Sequence, residues 1–196
     1  MAMHPGKQAL ILLLLCFPLY ADEVEEKPTS DTYLPSVLWD RLKTNSVKTR
    51  QSPDHHELYL PLFSWHVPFA WDKDRRREYN EQAWGAGYGL TRYDNDGDWH
   101  GLYLMTFRDS QDEWEPVAGY AYEKIWRPLE REQDFRLGLG LTAGVTMREN
   151  WHYVPVPYVL PLGSVGYKSL TFQTTYVPGT RNKGNVFLGW LRWQFD

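Results

Sequence analysis

Cysteine is nearly missing from this chain: Cys16 is the single one among 196 residues. It lies inside an apolar stretch that reads as an export leader, so a mature chain cut behind that stretch needs no disulfide, even in an oxidising compartment. Long apolar runs are missing as well. Beyond residue 21 nothing approaches the roughly 18–20 apolar residues of a membrane-crossing helix. A mean hydropathy of -0.56 likewise excludes a helical membrane protein. A basic surplus is the third absence. Lys and Arg number 21 against 25 Asp and Glu, for a net charge of -4. Without a basic face to meet a phosphate backbone, no nucleic-acid partner is expected.

What the chain has in excess is aromatic. Phe, Trp and Tyr make up 16% of it, with ten Trp, a content that suits membrane-interface belts. Residues 1–21 carry Lys7, the apolar core Ala9–Phe17 and a cleavage site after Ala21, the anatomy of a signal peptide. Residues 22–50 begin acidic and polar. They then open a helical pattern at Pro35-Ser36, with Leu34, Val37, Leu38 and Leu42 on one side and Trp39 beside them. This reads as a short amphipathic helix, either lying at a membrane interface or docked on its own domain.

Residues 51–196 have the texture of strands. Runs of about ten residues, separated by turn signals, fall near 56–66, 83–93, 98–109, 114–124, 134–147, 151–161, 164–176 and 185–195. Eight is the smallest usual size for a membrane barrel. Asn95-Asp96-Gly97 marks a hairpin turn, the link at 161–164 reads as tight, and the stretch 67–82 is long and charged. Short turns on one rim and long loops on the other suit a bacterial outer-membrane barrel. The expected fold is an all-β, eight-stranded antiparallel transmembrane barrel behind a short N-terminal amphipathic helix.

Alternation assigns the faces. Trp84, Ala86, Tyr88 and Leu90 share one parity; Gly85, Gly87 and Gly89 share the other. Leu137, Leu139 and Leu141 alternate with Gly138, Gly140, Thr142 and Gly144, and Tyr120 and Tyr122 with Gly119 and Ala121. The large apolar residues would face lipid and the glycine rows would face inward, with little charge among them. Two consequences are open. The glycines could leave a narrow apolar slot for a hydrocarbon chain, or they could make room for neighbouring aromatic rings to fill the lumen. Pro155, Pro157, Pro161 and Pro178 cannot donate to a ladder. They mark either a gap in the wall or strand ends, where proline is harmless.

Candidate chemistry gathers at strand ends. His66 closes the first strand, while Asp109 and Ser110 close the third. If those strands run the same way, all three share a rim. His66 could then act as base for Ser110 or for a substrate hydroxyl, with Asp109 orienting an imidazole or binding a polar head. His55, His56 and His100 invite a metal reading, but a strand turns His55 and His56 to opposite faces. Asp94–Asp98 faintly resembles a calcium loop but carries its glycine at the wrong place, so a hairpin turn is the better reading. Arg75, Arg76 and Arg77 form either a solvated loop face or a partner for lipid phosphates.

The ordered motifs Leu58-Tyr59-Leu60-Pro61, Ser64-Trp65-His66, Trp99-His100-Gly101-Leu102-Tyr103, Phe107-Arg108-Asp109-Ser110, Trp114-Glu115-Pro116, Leu137-Gly138-Leu139-Gly140, Leu160-Pro161-Leu162 and Pro178-Gly179-Thr180 resemble the outer-membrane lipid A palmitoyltransferases of the PagP family. That resemblance implies transfer of a palmitoyl chain from a glycerophospholipid donor to lipid A, in the outer leaflet of the outer membrane, by a monomer without cofactor or metal. It places the family's catalytic residues on His66, Asp109 and Ser110, the floor of its acyl slot on Ala121, and its lateral openings at Pro61 and at Pro161 with Pro178. Three departures accompany it: alanine stands for the floor glycine at 121, Ala83 stands where a proline is expected, and the chain ends Phe195-Asp196. The rival classes are a non-enzymatic barrel, a lipocalin-like carrier and a phospholipase.

Overall fold

The computed structural model describes residues 34–76 and 79–196. The expected leader, the acidic segment up to residue 33 and Arg77 lie outside the described residues. The chain divides into two compact units, residues 1–37 and 38–196, and the strands all lie in the second.

Helix α1 spans Leu34–Gln51, longer than the short helix expected. Its half-buried and buried positions include Leu42, Asn45 and Thr49. Asn45 Oδ1 accepts a hydrogen bond of 3.2 Å from Arg92 Nη2. Leu38, Trp39 and Val47 remain exposed. The helix therefore touches the barrel domain through Asn45 and still shows apolar side chains outward.

Eight strands follow: β1 His55–His66, β2 Gly85–Tyr93, β3 Trp99–Arg108, β4 Trp114–Trp126, β5 Phe135–Thr146, β6 Val156–Tyr167, β7 Leu170–Val177 and β8 Val186–Phe195. Each pairs with the next, all pairs are antiparallel, and β8 closes on β1 into a barrel. One rim carries the connections 67–84, 109–113, 147–155 and 178–185; the other carries 94–98, 127–134 and 168–169.

The period-two pattern places the side chains as expected. Leu104, Leu139, Val159 and Val165 are exposed on the outer face. Trp65, Trp84, Trp114, Trp151 and Tyr153 are exposed near the long-loop rim, and Trp126, Tyr167, Trp193 and Phe195 near the other. An apolar band between two aromatic girdles is the surface of a barrel that sits in a bilayer. A soluble carrier would turn polar rows outward instead.

One strand boundary was misread. The expected turn at 161–164 lies inside β6, where Pro161 pairs with Leu141 and Gly163 with Leu139 of β5. The real hairpin is at Lys168-Ser169, with Lys168 in the left-handed region at φ 53°. The prolines and glycines of this stretch look like turn signals but are tolerated because of which way they face. The Pro161 carbonyl accepts from Thr175 Oγ1 at 2.7 Å, so its backbone edge points to β7. Pro157 has the same parity, and β6 has no ladder with β7 before Leu162. A strand residue presents its nitrogen and carbonyl to the same neighbour. The missing donors therefore fall where there is no ladder to join.

A second break lies between β1 and β2. Their ladder runs only from His55↔Thr91 to Tyr59↔Gly87. Pro61 follows it, and a register shift against β8 lies between Pro61 and Phe63. The ladder is thus interrupted on two sides, next to prolines in both cases.

The outward assignment has a direct test. Leu104, 63% exposed in the middle of β3, should tolerate alanine. Arginine there should cost about 2–4 kcal/mol, the range for a charge at mid-bilayer depth. Reversible denaturant unfolding in phospholipid vesicles measures the difference.

Candidate active site

Because β1 and β3 run in the same direction, His66 and Asp109-Ser110 lie on the same long-loop rim. His66 is buried. Its ring meets Trp71 edge-on at 4.8 Å and stacks on Tyr79 at 5.1 Å. Its Nδ1 lies 3.9 Å from Glu81 Oε1. The end of the long loop runs back along β1: Ser64 N–H donates to the Glu81 carbonyl at 2.9 Å and Ser64 Oγ to the Asn80 carbonyl at 3.2 Å. The next link is Asn80 N–H, which donates to the Ser110 carbonyl at 2.9 Å. One residue, Asn80, therefore ties Ser64, two positions before His66, to Ser110.

Asp109 serves a different purpose from the one expected of an imidazole partner. Its Oδ1 accepts from Gln111 N–H at 2.8 Å and Glu113 N–H at 3.0 Å, which closes the β3–β4 turn. Its Oδ2 accepts from Arg148 Nη2 at 2.6 Å. Arg148 Nε in turn lies 3.3 Å from Glu115 Oε2, and Glu115 Oε1 accepts from Thr146 Oγ1 at 2.6 Å. Among the described residues none of the Asp109 hydrogen bonds goes to His66. Sequence reasoning missed Arg148, Asn80, Trp71 and Tyr79. For Arg148 the usable signal was register: Met147 N–H bonds the Pro116 carbonyl, so residue 148 arrives beside the β3–β4 turn.

Inside the barrel the glycine rows do face inward, and aromatic rings occupy much of the room they leave. A Cβ on Gly89 would meet the Tyr59 ring at 2.6 Å, and one on Gly101 the Trp99 ring at 2.3 Å. Tyr59 stacks on Tyr103 at 5.8 Å, and the Tyr103 hydroxyl bonds Thr142 Oγ1 and the Tyr158 hydroxyl, each at 2.6 Å. A small apolar pocket remains near the long-loop rim. Pro61, Phe63 and Ala83 border it at the β1–β2 break, and Met105, Phe107 and Trp190 on the lumen side.

The expectation of little charge inside fails in the other half of the lumen. Glu57, Glu123 and Arg192 are all buried there. Ala121, buried, sits one inward position above Glu123 on β4, at the boundary between the apolar and charged halves.

The other candidates resolve into local structure. His55 Nδ1 bonds Asp196 at 2.9 Å, and the His56 ring bonds the Tyr88 hydroxyl. His100 bonds Asp94 at 3.0 Å and the Tyr120 hydroxyl at 2.6 Å. Asp94–Asp98 is a hairpin turn: Asp94 Oδ1 accepts from the N–H groups of Asp96 and Asp98. Burial alone would raise the Asp94 carboxyl, but its bonds to His100 and to the turn amides hold it below the usual carboxylate range. The Asp98 carboxylate is engaged by Tyr122, Ile125 N–H and Lys124.

A lipid-facing eight-stranded barrel with this rim invites comparison with known proteins. Residues 45–192 match the family described as antimicrobial peptide resistance and lipid A acylation protein PagP. The chain belongs to the PagP family. Over 184 residues it is 53% identical to the lipid A acyltransferase PagP of Serratia proteamaculans, covering 94% of this chain and 93% of that protein. It is 52% identical over 186 residues to the same-named protein of Sodalis glossinidius, covering 94% and 95%. The lipid A palmitoyltransferase PagP of Escherichia coli is 56% identical over 153 residues, 78% of this chain and 82% of that one. Membership of the PagP family and a barrel with an apolar outer band both fit an outer-membrane protein.

Arg148 and Asp109 should behave as one unit. Arg148→Ala leaves a buried carboxylate oxygen unpaired and should cost about 1–3 kcal/mol. Arg148→Ala combined with Asp109→Asn should cost less than the sum of the single changes. Denaturant unfolding of the four proteins in detergent micelles supplies the cycle.

Proposed function

We propose that this chain transfers a palmitoyl group from a glycerophospholipid to lipid A in the outer leaflet of the outer membrane. In this reading residues 1–21 are a leader removed on export, residues 22–50 hold the acidic segment and helix, and residues 51–196 form the catalytic barrel, acting as a monomer. The observation that carries it is a coincidence of position. The rim that bears His66, Asp109 and Ser110 adjoins the apolar pocket and the β1–β2 break at Pro61. A donor lipid sliding through that break could keep its chain in apolar surroundings while its ester reaches the rim. The β6–β7 break, beside Pro161 and Pro178, offers an opening of the same kind on another side.

The chemistry asks little of the protein beyond proton transfer and placement. His66 takes the proton of the acceptor hydroxyl as general base. The hydroxyl oxygen forms a bond to the ester carbonyl carbon, and the bond from that carbon to the glycerol oxygen breaks. The proton passes from His66 to the departing glycerol oxygen, releasing a lysophospholipid. Ser110, tied to Asn80 beside the His66 strand, polarises and positions the ester. Asp109 acts with Arg148 by fixing the β3–β4 turn that presents Ser110.

Two predictions follow from these roles. His66→Ala, Asp109→Ala and Ser110→Ala should each lower transfer strongly, by about 10²–10⁴ for the general base, while the folded barrel persists in detergent. Mass spectrometry of lipid A incubated with donor phospholipid and each variant reads this as one added acyl chain or none. Activity retained in all three would refute the assignment. Ala121→Gly, which removes a methyl group from the boundary between the apolar and charged halves, should lengthen the preferred acyl chain by about one methylene, worth roughly 0.8 kcal/mol. Competition between donors of defined chain length measures that shift.

A further inference from the structure

Directly beneath Ala121 a charged layer spans the lumen, and the reaction itself makes no use of it. Arg192 of β8 is 2% exposed, with Glu57 of β1 at 1% and Glu123 of β4 at 0%. Its Nη1 lies 3.6 Å from Glu57 Oε2 and its Nη2 lies 3.8 Å from Glu123 Oε2. The guanidinium thus reaches across the barrel from the β8–β1 wall toward β4. There it lies over the Trp99 ring of β3, 3.7 Å from the centroid. The six-membered ring of that indole rests against Gly101, where a Cβ would lie only 2.3 Å away, and Gly101 pairs with Ala121 across the β3–β4 ladder. Both carboxylates are fixed from behind as well. Glu57 accepts from the Tyr59 hydroxyl at 3.0 Å and from Gln194 at 3.1 Å, and Glu123 accepts from Ser164 at 3.0 Å.

We propose that Arg192 is a positioning residue for acyl-length selection: held between Glu57 and Glu123, it presses Trp99 flat beside Ala121 as the plate on which the chain terminus stops. The inference rests on the acyl-transfer reading above. The plate is hard for two reasons. A cation over an indole face in a dry site is held by attraction to the ring. An apolar chain end pushed past the indole would separate buried ions from their partners, which is far costlier than displacing an apolar side chain. Ala121 alone supplies one methyl group; the indole and its cation supply the resistance behind it.

The experiment compares donor phospholipids whose acyl chains differ by one methylene, with lipid A as acceptor. The wild type should discriminate against a chain one methylene too long by about tenfold or more, as a closed apolar pocket does. In Arg192→Met combined with Glu57→Gln and Glu123→Gln, which leaves no uncompensated charge, discrimination should fall below about threefold while transfer continues. Arg192→Lys, which keeps a cation between the carboxylates and over the ring, should restore most of it. A folded triple variant that transfers acyl chains with an unchanged cut-off overturns the proposal. So does one that folds and transfers nothing, since a residue remote from His66 should alter selectivity and not the chemistry. If the triple variant does not fold, Trp99→Phe decides: a shortened plate should admit a longer chain, and an unchanged cut-off overturns the proposal. A wild type that transfers no acyl chain from any donor instead overturns the acyl-transfer reading itself.

Discussion

In hydrocarbon every backbone donor and acceptor has to find its partner inside the protein, because no water stands in for a missing hydrogen bond. A closed ring of eight strands meets that demand almost everywhere in this chain. The exceptions are informative because they are expensive in lipid. They lie next to prolines, beside Pro61 between β1 and β2 and before Leu162 between β6 and β7. At Pro161 the free carbonyl is still recovered by the Thr175 side chain. The ladder lapses where the sequence has removed donors, and one lapse lies against the apolar pocket.

The lumen divides along its length for a related reason. Glycine rows on β2, β4 and β5 clear space, and the rings of Tyr59, Trp99 and Tyr103 use part of it. Toward the long-loop rim Met105, Phe107, Val117 and Trp190 line it, with buried Ser64, Gln173 and Thr175 among them. Toward the other rim Glu57, Glu123 and Arg192 compensate one another across the barrel. Buried ions of this kind add little net stability when paired and cost several kcal/mol when a partner is lost. Their contribution here is shape: they resist being parted, so the boundary at Ala121 stays where it is.

Much of this was legible in the sequence, and the residues show why. Period-two alternation fixed the inward and outward faces of β2 and β5, because a strand offers only two faces and lipid selects one. His66, Asp109 and Ser110 could be assigned to one rim once strand direction was counted. The β6 boundary could not, since Pro161 and Gly163 carry the same local signal in a turn as inside a strand, where Pro161 falls just before the β6–β7 ladder and Gly163 within it. The charged layer was hidden because Glu57, Glu123 and Arg192 are far apart in sequence and meet only across the closed barrel. Arg148 was hidden for the same reason: its partner Asp109 lies on the neighbouring hairpin, and sequence reasoning assigns that carboxylate to an imidazole or a polar head.

The proposed reaction turns on where the donor's acyl chain lies when its ester stands at the rim. A phospholipid bearing a photoreactive group at the methyl end of its acyl chain reports this directly, when irradiated with the protein in vesicles and mapped by peptide mass spectrometry. The account predicts labelling of inward residues beside Ala121 on β4 and Trp99 on β3. Labelling confined to outward residues such as Tyr88, Leu104 and Leu139 would mean that the chain never leaves the bilayer, and would contradict it.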